Sequence, residues 1–153
     1  MAETPAASPK HIVLQKIYVK DASLEIPLAP QVFTRAWQPQ IDVQVSTAVQ
    51  ALNAEQHHVL LQVTVTAKLD QEVAFLAEVR QAGIFLLKGL AETAERQHVL
   101  GTDCPTILFP FARETVAELV QRGGFPQLLL QPIDFGALYQ EHLRKNEAAA
   151  TAH

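Results

Sequence analysis

With 153 residues, 48% hydrophobic and 18% charged, the chain suits one domain that buries roughly 70% of its unfolded surface. A formal charge of −4 with no run of lysine or arginine argues against the basic stripe of a nucleic-acid binder. The single cysteine, Cys104, excludes an internal disulfide, and no apolar run approaches the roughly 18 residues of a membrane span, so a cytosolic protein is expected.

Residues 1–10, "MAETPAASPK", carry an early acid and two prolines and lack the apolar core of a signal peptide, which reads as a disordered leader. "HIVLQKIYVKDASLEI" follows as a first strand with imperfect alternation. Its even positions (Ile12, Leu14, Tyr18, Ala22, Leu24, Ile26) are mostly apolar, while the odd ones run from Val13, Ile17 and Val19 to Asp21, Ser23 and Glu25. The first half therefore reads as buried on both faces and the second half on one. "PLAPQVFTRAWQPQ" holds three prolines and no period, so it predicts a long loop, and long loops in compact domains are often functional. It also carries the only tryptophan, Trp37, near Phe33. Two readings stand for these rings: a lid on the domain's own core, or a wall that holds apolar ligands or polypeptide.

"IDVQVSTAVQAL" places Ile41, Val43, Val45, Thr47 and Val49 on one face of a strand, and "HHVLLQVTVTAKL" repeats the alternation with Val59, Leu61, Val63 and Val65. A polar turn near residues 53–56 joins them, and "LDQE" turns tightly into a third run. That run, "VAFLAEVRQAGIF", poses a question. Its odd positions, Val73, Phe75, Ala77, Val79 and Gln81, belong in a core, but its even positions mix Glu72, Leu76, Glu78 and Arg80, which is neither a core nor an ordinary wet surface. These three strands predict an antiparallel meander that the first strand joins through the long loop.

Beyond Gly83 the period lengthens. A short helix is expected near residues 90–99, stopped by Gly101. "CPTILFPFARETVAELVQRGG" predicts a second, with Leu108, Phe111, Ala112, Val116, Leu119 and Val120 on its apolar stripe, Pro110 in the first turn and Gly123-Gly124 as the stop. In "IDFGALYQEHLRKN", Asp134 caps a third helix whose stripe is Phe135, Leu138, Tyr139, His142 and Leu143, with Glu141 and Lys145 paired at i,i+4. The tail from residue 146 is expected to fray. Strands followed by helices indicate α+β.

Catalytic patterns are sparse. There is no G-x-S-x-G elbow, P-loop or G-x-G-x-x-G. Cys104 and His98 are the material for a Cys–His pair, but a cysteine before Pro105 at a helix start reads better as a small buried residue. His57 and His58 are adjacent on a strand and point to opposite faces, which disfavours a shared metal. Asp21, Glu25 and Glu78 are the material for an acid/base set, against the simpler reading of a solvated strand face.

The chain resembles the SecB family of bacterial protein-export chaperones over residues 11–145. The resemblance rests on "IYVKDASLEIP", "APQVFTRAWQP", "VTVTAKL", "AFLAEV", "GIF", "CPTILFPFARE", "RGGFPQLLLQPIDF" and "ALY", in this order and spacing. It implies a four-stranded antiparallel sheet with C-terminal helices on one face, and a homotetramer, a dimer of dimers. It further implies a holdase that needs neither ATP nor a cofactor, keeps precursor polypeptides unfolded and hands them to the SecA motor. Neither catalysis, a nucleic-acid partner nor membrane insertion is implied. The family's SecA-docking positions fall on Asp21, Glu25, Leu76 and Glu78. Client-binding positions fall on Trp37, Ile41, Val43, Val45 and Leu138. Oligomer-interface positions fall on Ala77, Val79 and Gln81, where Ala77 replaces the cysteine of some members. A SecB-like chaperone dedicated to one client, such as an antitoxin, is the alternative reading. A small Cys104–His98 hydrolase and a lipid carrier are more distant ones.

Overall fold

The computed structural model describes residues 11–151; the expected leader lies outside the described residues. Four strands, β1 (His11–Glu25), β2 (Gln40–Ala51), β3 (Gln56–Leu69) and β4 (Glu72–Lys88), form one antiparallel sheet in the order β1-β4-β3-β2. The meander is as the alternation and the turns predict, and β1 joins it through the crossover loop, pairing with β4. Two local devices set the hairpins. Asn53 Oδ1 accepts the backbone N–H groups of Glu55 and Gln56 at 3.0 and 2.8 Å, which closes the β2–β3 turn. The β3–β4 turn places Asp70 and Gln71 at φ +49° and +70°, the handedness that a two-residue hairpin requires.

The irregular alternation of β1 has a structural cause. Register shifts between Leu14 and Lys16 and between Val19 and Asp21 switch the inward positions from even to odd and back. The residues paired with the inward side of β4 are therefore Ile12, Leu14, Ile17, Val19, Ala22 and Leu24. Apparent burial on both faces is one face with two bulges.

Three helices follow: α1 (Thr93–Gly101), α2 (Asp103–Arg122) and α3 (Phe135–Thr151). The α2 helix lies across β4, with lesser contact to β3 and β1. Its buried stripe is Cys104, Leu108, Ala112, Val116 and Val120, together with Pro105 and Phe109. Against it stand Val59, Leu61, Val63 and Val65 of β3 and Phe75, Ala77 and Val79 of β4. Each large apolar side chain in this layer contributes about 1.5–3 kcal/mol by leaving water.

Two helical expectations are corrected. Phe111 is 45% exposed and Phe109 takes its place in the core. Because α2 starts at Asp103, Pro105 occupies the first turn, where no backbone N–H is needed, and Pro110 sits in the interior on the exposed side. α3 runs to Thr151 through "NEAAAT", where alanines favour helix. Asp134 does cap α3, its Oδ1 accepting the Ala137 N–H at 3.0 Å.

The crossover loop carries a short 3-10 helix, η1 (Gln31–Thr34), and its aromatic rings sit on the core. Trp37 stacks on Phe75 at 6.2 Å and meets Phe125 at 4.9 Å, and Phe33 meets Phe125 at 5.2 Å. Gly124, at φ +90°, lets the Phe33 ring close over it, 3.1 Å from where a Cβ would stand.

Candidate functional site

Alternation along β2 puts Ile41, Val43, Val45, Thr47 and Val49 on the helix side of the sheet, in register with the buried Ala67, Val65, Val63, Leu61 and Val59 of β3. The two rows differ in what covers them. The β3 row is wholly buried beneath α2, whereas Ile41, Val43 and Val49 remain 39%, 39% and 45% exposed. β2 is the edge strand, and α2 stops short of it.

An open groove of about 750 Å³ lies between this strand and the C-terminal helix. Val45 and Val49 form one wall and Leu100, Leu138, Tyr139 and Leu143 another, with Glu141, His142 and Lys145 at its polar rim. Leu138 and Leu143 are 42% and 39% exposed, so much of the α3 stripe faces open space. The separation of the walls depends on Gly101. A Cβ there would come within 2.6 Å of the Tyr139 ring, so glycine admits the close approach of α1 to α3, and His98 packs edge-on against the same ring at 5.4 Å. The rim pair expected at i,i+4 forms, with Lys145 Nζ 3.8 Å from Glu141 Oε1.

Among the residues assigned to client binding, Val45 and Leu138 line this groove. Ile41 and Val43 extend the same strand face beyond it, and Ile41 borders a smaller hollow with Asp42 and Lys68. Trp37 stands apart in the loop, half-buried on Phe75 and Phe125. The sequence-based site omits Val49, Tyr139 and Leu143. They carry the same signal as the chosen residues, being apolar positions on a strand or helix period with no partner layer to spare for them.

Among the described residues, the opposite face of the sheet carries no helix, and it gathers the carboxylates. Strand register sets Asp21 against Arg80, Ser23 against Glu78 and Glu25 against Leu76, so Asp21, Glu25, Leu76 and Glu78 form one contiguous surface on β1 and β4. Arg80 belongs to it and was not singled out from sequence. Its Nε lies 3.6 Å from Glu78 Oε1 and, among the described residues, has no hydrogen-bond partner. The mixed stretch of the even face of β4 is thus a polar patch, Glu78 and Arg80 with Asp21 and Glu25 of β1, that includes Leu76. On this face too, His58 Nε2 meets the Tyr18 hydroxyl at 2.6 Å, while His57 turns inward and its Nδ1 meets the Glu55 carbonyl at 3.2 Å.

The inward side of β4 is occupied by the chain itself. Ala77 and Val79 are fully buried and Gln81 is 3% exposed beneath the helix layer. Gln81 Nε2 donates to the Tyr18 carbonyl at 3.0 Å and its Oε1 has no partner among the described residues. These three residues offer a second chain almost no surface. Cys104 is likewise sealed: burial first, and the neighbouring Asp103 second, push its thiol from the usual 9.0 up to about 12. A nucleophilic thiolate needs the reverse shift.

Residues 5–146 match the family model described as SecB, preprotein translocase subunit SecB. The protein-export protein SecB of Hydrogenovibrio crunogenus is 48% identical over 136 residues, covering 89% of this chain and 91% of that one. That of Ectopseudomonas mendocina is 48% identical over 139 residues, covering 91% and 86%. A SecB-like chaperone of Mycobacterium tuberculosis, solved with a peptide from the HigA1 antitoxin, shares the fold at a TM-score of 0.64 and 21% identity, over 80% of this chain and 88% of that one. An α+β sheet that carries its helices on one face, with this sequence agreement over nearly its whole length, makes the chain a member of the SecB family of protein-export chaperones.

Proposed function

We propose that this export chaperone works as a holdase without nucleotide or catalysis, binding unfolded precursors in the β2–α3 groove and passing them to SecA from the opposite face of the sheet. The single observation that carries this reading is the uncovered apolar row of β2 facing the uncovered stripe of α3. A folded protein offers few exposed apolar segments to such a groove. An unfolded one offers many, and shape-tolerant apolar burial makes the groove indifferent to their order. Several weak contacts along one client add by effective concentration.

Asp21, Glu25 and Glu78 around Leu76 suit a basic partner such as the SecA tail: carboxylates steer the approach and set register, and the leucine supplies the dry contact. The assembly is a homotetramer, a dimer of dimers. Ala77, Val79 and Gln81 act in it indirectly, by supporting the α2 helix that covers them. Export relatives at 48% identity favour the general exporter over a chaperone dedicated to an antitoxin.

The test mixes the purified protein with a permanently unfolded polypeptide and with its native counterpart, without nucleotide, and sizes the complexes by light scattering. Binding of the unfolded form alone by a particle near four chains in mass is expected. A tetramer that holds no unfolded chain would sink the general holdase reading, and a monomer that holds none would sink the assembly as well.

A further inference from the structure

The crossover loop is tied to the rest of the fold by few polar contacts. Among the described residues, the hydrogen bonds made by residues 26–39 stay within the segment, with one exception. The exception is Arg35. Its Nη2 lies 3.4 Å from Asp70 Oδ2 and its Nη1 lies 3.5 Å from Glu72 Oε1, so one guanidinium spans both acids of the β3–β4 turn. Two residues further on, Trp37 lies on Phe75, which is three residues beyond Glu72 on β4. The loop is therefore pinned to the start of β4 at two adjacent points, one electrostatic and one aromatic.

The turn itself is unusual in composition. A two-residue hairpin with positive φ at both positions favours Asn-Gly, and this one uses Asp70 and Gln71. Gln71 in particular has no ordinary preference for that backbone region. Backbone strain of this kind persists where the surroundings hold it, and here it places two carboxylates either side of one cation. The bridges are long and solvent-reached, with Asp70 96% exposed and Arg35 31% exposed. Salt screens such pairs over a length of roughly 10 Å at 0.1 M. The aromatic contact behaves in the opposite way, because salt does not weaken apolar burial.

We propose that Arg35 is a positioning residue for client binding: it latches the crossover loop to the β3–β4 turn and so holds Trp37, one of the client-binding positions, and Phe33 as a fixed aromatic wall on Phe75 and Phe125. This rests on the client-holding role given above. Its consequence is a salt dependence with a particular sign. An uncharged apolar client makes no ion pair of its own, so without a latch its affinity would be level or rise with salt. With the latch in place its affinity falls as salt loosens the wall.

The chain's single tryptophan reports the latch without any client. Acrylamide, an uncharged quencher, is titrated against Trp37 fluorescence from low to high sodium chloride in the full-length wild type, Arg35→Gln, Arg35→Lys and the double variant Asp70→Asn/Glu72→Gln. Wild-type quenching should rise about twofold with salt. Arg35→Gln and the double variant should start high and stay flat, and Arg35→Lys should lie between, while far-UV circular dichroism stays the same in all four. Binding of an uncharged apolar peptide should weaken two- to fivefold in the two uncharging variants and lose its salt dependence. Quenching of Arg35→Gln equal to wild type across the salt range would overturn the latch. Altered quenching with unaltered peptide affinity would overturn the positioning role and leave the groove as the client site. If wild type itself binds no unfolded chain, the client-holding role fails, and the quenching series alone upholds or overturns the latch.

Discussion

Replacing Gly101 by alanine sets two physical effects of opposite sign against each other. Helix propensity alone favours the change: alanine in place of glycine stabilises a helix interior by up to ~1 kcal/mol, and by less at the last residue of α1. Packing opposes it, because the new methyl would sit 2.6 and 2.8 Å from two carbons on one edge of the Tyr139 ring. Those atoms belong to a half-buried ring wedged against His98, so the clash displaces the start of α3 rather than a free side-chain tip. Overpacking of this kind costs about 1–3 kcal/mol. The expected net is a loss of about 1–2 kcal/mol, which for a domain of this size lowers Tm by about 3–6 °C. Because Tyr139 and Leu138 line the groove, the displaced wall should also weaken the hold on an unfolded client. Thermal melts at fixed protein concentration, paired with client titrations by fluorescence anisotropy, read both effects. A variant more stable than wild type, with client affinity intact, would show that α1 and α3 are not in the close contact on which the groove's shape depends.

Reversing charge at Asp21, Glu25 and Glu78 should weaken SecA binding, most at low salt, and leave client binding as it was; surface plasmon resonance at two ionic strengths separates these, and equal loss of both activities would make the residues structural. An aspartate at Val43 puts a charge on the uncovered row of β2 and should impair client holding while the melt stays near wild type; unchanged holding would remove that strand face from the groove. The Cys104 thiol should resist alkylation at pH 8 in the native state and react readily once the chain is unfolded. Its folded value, raised to about 12 from 9.0, means that its contribution to stability is complete below about pH 9 and is lost as pH rises toward 12, since only the unfolded thiol ionises in that window. Fast native alkylation at pH 8 would contradict the burial.

Much of the fold can be read from local pattern. The period of two in β2, β3 and β4 marks which residues share a face, Asn53 and the "LDQE" turn mark the hairpins, and Asp134 caps α3, because each signal lies between residues only a few positions apart. The irregular alternation of β1 was legible as an irregularity, but its cause was not. Two bulges are defined by the partner strand, and β4 lies some sixty residues away. Phe109 and Phe111 are equally apolar, and only the direction in which α2 meets the sheet selects Phe109 for the core.

The two functional surfaces divide along the same line. Sequence by itself determined that Val43 and Val45 share a strand face, that Leu138 and Leu143 share a helix stripe, and that Leu76 and Glu78 point away from Ala77 and Val79. These relations follow from the backbone periods of a regular strand or helix, which hold wherever no bulge interrupts them. Tertiary structure alone decided which apolar face would stay open. The β3 row and the β2 row are nearly the same in composition, yet α2 lies over one and stops before the other, so the first becomes core and the second a groove. Burial is a property of what arrives from elsewhere in the chain, and the edge position of β2, beyond the reach of α2, is what leaves its valines free to hold another polypeptide.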